Sequence, residues 1–286
     1  ENMANSRTAA LTFLNELMDK RLPFGRRDVE AVRTYALANG FEGDELMAWD
    51  FSFWAERYKE SEYALNEEKL KPYFRLENCI DAVFGLATKL YGITFEPRMD
   101  IPVYHKDVKV YDVKDQDGRH LALFYADFFP RPTKRGGAWM TEFRGQCIRN
   151  GVEERPFISI VTNFTKPTGS TPSLITHDEL TTLLHEFGHS LHGMLAEGRY
   201  PSLCGTNVAR DFVELPSQIM ENWAFEPEFL DNFAKDYKTG EVIPTELVNK
   251  IVRAKNYLSG YYQVRQLDFG ELDMAWHTLG TMTQDS

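Results

Sequence analysis

Residues 181–193 read Thr-Thr-Leu-Leu-His-Glu-Phe-Gly-His-Ser-Leu-His-Gly, with His185, Glu186 and His189 gathered in a run suited to a helix. Positions i and i+4 share one helix face, so both imidazoles can reach a single tetrahedral zinc ion. Glu186 is poorly placed to ligate, but its carboxylate can reach a water at the metal and take a proton from it. The spacing therefore points to a hydrolase that uses zinc. Such spacing also occurs in helices whose histidines only pack, so the surroundings matter. Here Thr181, Thr182, Leu183, Leu184, Phe187 and Leu191 enclose the polar cluster in small or apolar groups, as a buried metal helix requires. His192 shares the face at i+7 from His185 and is a rival ligand, with packing or orientation of a neighbour as its plainer role.

Catalytic zinc normally has three protein ligands, so a further donor must lie downstream. Ten residues after His185 stands Leu195, which removes the three-histidine arrangement. The acids that follow are Glu197, Asp211, Glu214 and Glu221, and the stretch 207–228, rich in apolar residues, reads as a second helix. On such a helix Asp211 and Glu214 share a face, one suited to ligate and the other to accept the far N–H of a ligating histidine. Spacing alone leaves the assignment between them open.

The residues His185-Glu-Phe-Gly-His189, Gly205-Thr206, Arg210-Asp-Phe-Val-Glu214-Leu-Pro-Ser-Gln218 and Glu221-Asn-Trp223 together resemble the thimet oligopeptidase and peptidyl-dipeptidase family. The resemblance implies His185, His189 and Glu214 as metal ligands, one Zn(2+) per chain and Glu186 as the general base. It also implies Asp211 as the carboxylate orienting a ligating histidine, with pairing to Arg210 or helix capping as alternatives. It further implies short, unstructured peptide substrates held in a deep cleft, and a peptidyl-dipeptidase or oligopeptidase activity. Family members are considerably longer at both ends, and their pattern includes a histidine and tyrosines that face the developing oxyanion beyond the position of Ser286. A zinc-binding fragment with little activity is thus one rival expectation. Another zinc hydrolase, such as an aminopeptidase, is the second.

The elements that must position these groups are legible in outline. Segments 5–20, 28–39, 44–63 and 74–91 carry apolar residues at helical spacing, with Asp28 a candidate N-cap and Gly40 and Gly92 candidate stops. Val108-Lys-Val-Tyr-Asp-Val alternates, Asp115-Gln-Asp-Gly118 turns, and His120-Leu-Ala-Leu-Phe-Tyr-Ala returns as a hairpin. Trp139-Met-Thr-Glu-Phe143 and Phe157-Ile-Ser-Ile-Val161 are two further strands. A last helical tract starts near Thr245 and runs through Trp276, broken at Gly260. The expectation is a mainly α protein with a small antiparallel β-sheet (α+β), carrying a zincin-type metal helix in the catalytic part of an oligopeptidase fold. Residues 1–286 read as one catalytic-region fragment, helical over 1–92, sheet over 93–165 and a helical zinc-site region over 175–286. Gly136 and Gly137 before Ala138 admit close backbone approach by a substrate, a plain turn being the equal alternative. In the family resembled, the strand at this place runs along the cleft. His105, His120, Tyr257, Tyr261 and Tyr262 read as packing residues.

A chain of 286 residues and 33.0 kDa can bury a large core. A net charge of −11 and a pI near 5.2 argue against a nucleic-acid or anionic-membrane partner. No window approaches 18 apolar residues, and the first residues lack a leader sequence, although a chain not beginning with methionine leaves a removed leader open. Cys79, Cys147 and Cys204 are odd in number and widely spaced, which favours reduced, packed thiols and a cytoplasmic location. Nothing in the composition indicates an oligomeric state.

Overall fold

Apolar residues at helical spacing make the front of the chain helical in the computed structural model, which describes residues 3–280. Helices α1 (Arg7–Ala38), α2 (Ala48–Tyr63), α3 (Glu67–Leu70) and α4 (Leu76–Tyr91) come first. The strands that follow are β1 (Thr94–Pro97), β2 (Lys109–Lys114), β3 (His120–Asp127), β4 (Trp139–Arg144), β5 (Cys147–Arg149), β6 (Val152–Glu154) and β7 (Phe157–Val161). Then come α5 (His177–Met194), α6 (Leu215–Glu221), α7 (Pro227–Phe233), α8 (Thr245–Ala254) and α9 (Ser259–His277). The chain is mainly α with a small sheet, and among the described residues no helix is long and apolar enough to cross a membrane.

Two compact units divide the chain. One joins residues up to Leu65 with those from Arg253 onward; the other is Asn66–Val252. These boundaries differ from the expected segment limits at 92 and 165, and the helical front stretch is divided between the two units.

The discontinuous unit pairs α1 with α9. Segments 5–20 and 28–39 are one helix rather than two, with Pro23 inside it. Asp28 caps a helix start, but a distant one: its carboxylate accepts the Tyr261 N–H at 3.0 Å in the first turn of α9. Gly260 lies against α1, where a Cβ would come 2.8 Å from the Phe24 backbone, so this glycine serves close packing. The break expected there falls earlier, at Leu258, whose φ of 50° ends the preceding turn. Val32, Ala36, Phe51, Trp54, Ala55 and Leu258 form the core of this unit. Tyr257 donates to the Ala55 carbonyl at 2.6 Å and Tyr261 stacks near Phe51, both packing roles.

In the second unit a five-stranded sheet runs in the order β1-β2-β3-β7-β4. The β2–β3 hairpin forms as its alternation predicts. The sheet is mixed rather than wholly antiparallel, because β3 and β7 pair in parallel. The long excursion from β3 through β4 and the β5–β6 ribbon provides the crossover that parallel pairing needs. Gly92, at φ 70°, closes α4 as expected, since the left-handed cap is cheap without a Cβ. Phe84 and Phe95 stack at 4.0 Å, and Phe187 of α5 packs 5.9 Å from Phe84, Phe95 and Phe124. The central residue of the His-Glu-Phe-Gly-His run is therefore the anchor that seats α5 on the sheet.

Candidate metal centre

Helix α5 begins with a capping box: the Thr176 hydroxyl accepts the Glu179 N–H at 3.1 Å, and Glu179 accepts the Thr176 N–H at 2.8 Å. Leu180, Leu183, Leu184, Phe187, Leu191 and Met194 form its buried face. His185 and His189 occupy an adjoining, partly open face, with side chains 26% and 12% exposed.

Gly188 determines what approaches that face. A Cβ there would lie 2.6 Å from both the Pro216 carbonyl oxygen and the Ser217 Cα, so α6 packs directly on α5 backbone. Glu214 immediately precedes α6, with Pro216 in the first turn where a missing N–H costs nothing. The Ser217 hydroxyl lies 2.8 Å from a Glu214 carboxylate oxygen and 2.9 Å from the Glu214 carbonyl. So held, Glu214 Oε2 stands 3.3 Å from His185 Nε2 and 3.1 Å from His189 Nε2.

Those separations suit a metal. Donors bound at about 2.0 to 2.1 Å in a tetrahedron lie roughly 3.3 Å apart. His185, His189 and Glu214 are also the three groups among the described residues whose donor atoms all fall within 4.8 Å of one another. Burial pushes the Glu214 carboxyl up, but the Ser217 hydroxyl and the two imidazoles outweigh it and hold the carboxyl below its usual range. Burial, above all, favours neutral His189, the form that ligates.

Glu186 is 7% exposed, and its carboxylate accepts the Met140 N–H of β4. Burial raises its pKa, His185 opposes this, Glu214 reinforces it, and the Met140 N–H steadies the ionised form. The residue that the sequence places beside the water is thus held between α5 and a strand.

The expected orienting carboxylate was Asp211; in the structure His185 Nδ1 lies 2.7 Å from Glu221 Oε1, a carboxylate so placed that it can accept the far N–H of this imidazole. Residues 207–214 form no helix, with turns over 210–214, and the helix expected over 207–228 starts only at Leu215, continues as a 3-10 turn over Asn222–Phe225 and restarts as α7. Asp211 and Glu214 are therefore not neighbours on a helix face, whereas Glu221 follows Glu214 by seven residues, two turns along α6. That spacing was the signal available in the sequence. His189 Nδ1 and His192 Nδ1 are buried without a hydrogen-bond partner, and the His192 ring packs edge-on to Phe212 at 6.2 Å, outside the donor cluster.

The 136–138 turn leads into β4 two residues before Met140. Asn163 pins it by donating to the carbonyls of Arg135 at 2.8 Å and Gly137 at 2.7 Å, and Gly137 needs its glycine at φ 87°. His120 instead pairs with Asp112 at 2.6 Å, and His105 with Asp107, well apart in sequence and partners from the cluster.

The sequence model of Peptidase family M3 matches residues 1–285. The dipeptidyl carboxypeptidase of Salmonella typhimurium is 43% identical over 98% of this chain and 41% of its own length. Oligopeptidase A of Escherichia coli is 39% identical over 96% of this chain, again 41% of its own length. Saccharolysin of Saccharomyces cerevisiae is 31% identical over 97% of this chain and 41% of its own length. The chain thus spans about two fifths of the curated relatives it matches.

Proposed function

The chain belongs to peptidase family M3, and from that membership we propose that it forms the metal-binding part of a zinc peptidase acting on short peptides. The observation that carries this reading is the convergence of His185 Nε2, His189 Nε2 and Glu214 Oε2 beside Glu186. When bound there, zinc supplies Lewis acidity, polarising a scissile carbonyl and lowering the pKa of water toward about 7.

The protein groups divide the remaining work. Glu221 accepts the Nδ1 proton of His185, fixing the tautomer that turns Nε2 toward the centre. The Glu186 carboxylate takes the proton of the attacking water and passes it to the leaving amine, a transfer typically contributing about 10² to 10⁴-fold. Among the described residues strand β4 ends the sheet order and pairs with β7 alone, so the backbone groups of its outer edge, apart from the Met140 N–H that Glu186 accepts, are suited to an extended peptide. The turn at Gly136, Gly137 and Ala138 lies at the start of that edge and is the candidate substrate contact.

The names of the relatives support either removal of dipeptides from a carboxyl terminus or cleavage within oligopeptides. Three free, buried cysteines and a relative called a probable cytosolic oligopeptidase support a cytoplasmic setting. The test is metal analysis together with cleavage of a quenched fluorescent peptide bearing either a free or an amidated carboxyl terminus. One zinc per chain, lost in His189→Ala, is the expected result; a chain that binds no zinc overturns the reading. Cleavage of the free-carboxylate peptide alone indicates dipeptide release, and cleavage of both indicates an oligopeptidase.

A further inference from the structure

The third ligand reaches the histidines only after the chain has left α5 and crossed residues 195–206, and this crossing is unusually well tied down. Gln146, on the segment between β4 and β5, is 3% exposed. Its single Oε1 accepts the Gly198 N–H at 2.8 Å and the Cys204 thiol at 3.1 Å, closing both feet of the crossing on one atom. Its Nε2 reaches Glu153 at 3.4 Å, and Glu153 in turn pairs with Arg155 at 2.7 Å. The Arg155 guanidinium donates to the Met194 carbonyl at 2.8 Å and to the Ala196 carbonyl at 3.1 Å, satisfying the end of α5 where carbonyls lack helical partners. On β4, Glu142 fills the space left by two glycines. A Cβ on Gly205 would come 2.4 Å from its Oε1, and one on Gly193 would come 3.2 Å from it.

We propose that Gln146 is a positioning residue for the third metal ligand: through the clasp it makes with Gly198 and Cys204, it sets the register in which Glu214 meets His185 and His189. This rests on the zinc reading above. Between the tips of the clasp the chain is exposed, with Tyr200 57% and Leu203 74% accessible, so the crossing has little apolar packing of its own to define its path. Polar ties at its feet replace that packing. The span from Cys204 to Glu214 follows directly on the clasp and is turn-rich, with no regular helix or strand before α6.

The experiment is a double-mutant cycle on the full chain, read by competition for zinc against a graded series of chelators. Gln146→Met removes both acceptor bonds while nearly keeping the side-chain length. The expected result is a 10 to 100-fold loss of zinc affinity in the wild-type background. In the Glu214→Ala background the same substitution is expected to cost less than about twofold, because the group it positions is gone. Equal losses in both backgrounds, or unchanged affinity with only a lowered Tm, overturn the proposal. Cys204→Ala breaks the same clasp from its other end and carries the test if Gln146→Met does not fold; its expected pattern is the same and smaller. A wild-type chain that takes up no zinc would sink the zinc reading itself, a result distinct from any outcome of the cycle.

Discussion

His185 Nδ1 and Glu221 Oε1 lie 2.7 Å apart, joining the metal helix to α6 through a bond that leaves Nε2 facing Glu214. The two carboxylates that meet His185 flank one short helix: Glu214 immediately precedes α6 and Glu221 is its last residue. Glu221→Ala is expected to weaken zinc binding about 10 to 100-fold, as loss of such outer hydrogen bonds typically does. Asp211→Ala is expected to change it far less. Chelator competition on both variants checks the order, and a larger effect at Asp211 would reverse the assignment.

Glu186→Gln keeps the shape of the side chain but removes its capacity to take a proton. Zinc content is expected to stay near one per chain while hydrolysis falls by about 10² to 10⁴-fold. Metal analysis and turnover measured on the same preparation separate the two effects. Near-native turnover would assign the base elsewhere.

Gly188→Ala places a methyl group 2.6 Å from the Pro216 carbonyl oxygen, a contact that backbone must yield to relieve. The expected cost is about 1 to 3 kcal/mol of stability from overpacking. Because the yielding segment carries Glu214, zinc affinity is expected to fall as well. Denaturant unfolding and chelator competition on the one variant test both halves.

Asp127 is 1% exposed and is paired with Arg131 and with Lys134, whose side chain is 2% exposed. Burial pushes the Asp127 carboxyl up, but those two cations and the Tyr104 hydroxyl outweigh it and hold the carboxyl below its usual range. A depressed folded-state pKa contributes stability that is fully present above the unfolded value of about 3.9 and is lost as pH falls through the folded value. Asp127→Asn, which strands a buried lysine, is expected to cost about 3 to 5 kcal/mol at pH 7. Urea unfolding from pH 7 downward should show the gap between wild type and variant constant to about pH 4 and narrowing below it. A gap that widens on acidification would contradict the linkage.

Much of this was legible from residue types. The α4 stop at Gly92, the β2–β3 hairpin, β4, β7 and the metal helix all follow from local periodicity and cap chemistry, because each is decided within a few residues. The joining of 5–20 and 28–39 across Pro23 was not legible, since Asp28 caps a helix more than two hundred residues away and local sequence cannot show that partner. The parallel β3–β7 pair depends on which strand slots beside which after a long excursion, again a non-local choice. At the site, the shared helix face of His185 and His189 follows from one helical turn, whereas the helix expected over 207–228 begins only at Leu215, so the hydrogen bond between His185 and Glu221 was not legible. With α6 starting at Leu215, Glu214 and Glu221 stand seven positions apart, two turns along one face, which brings both carboxylates to His185.

The unit built from α1, α2 and α9 holds the two most distant parts of the described chain in one core, with Leu258 completing a cluster begun by Val32. During synthesis, α1 and α2 emerge without the surface they pack on, and the whole of Asn66–Val252 must follow before α9 appears. At about 5 to 20 residues per second this wait is on the order of ten seconds or longer. Phe51, whose ring partner Tyr261 lies on α9, spends that interval without it, whereas Trp54 already has Tyr35 and Phe41 to pack on.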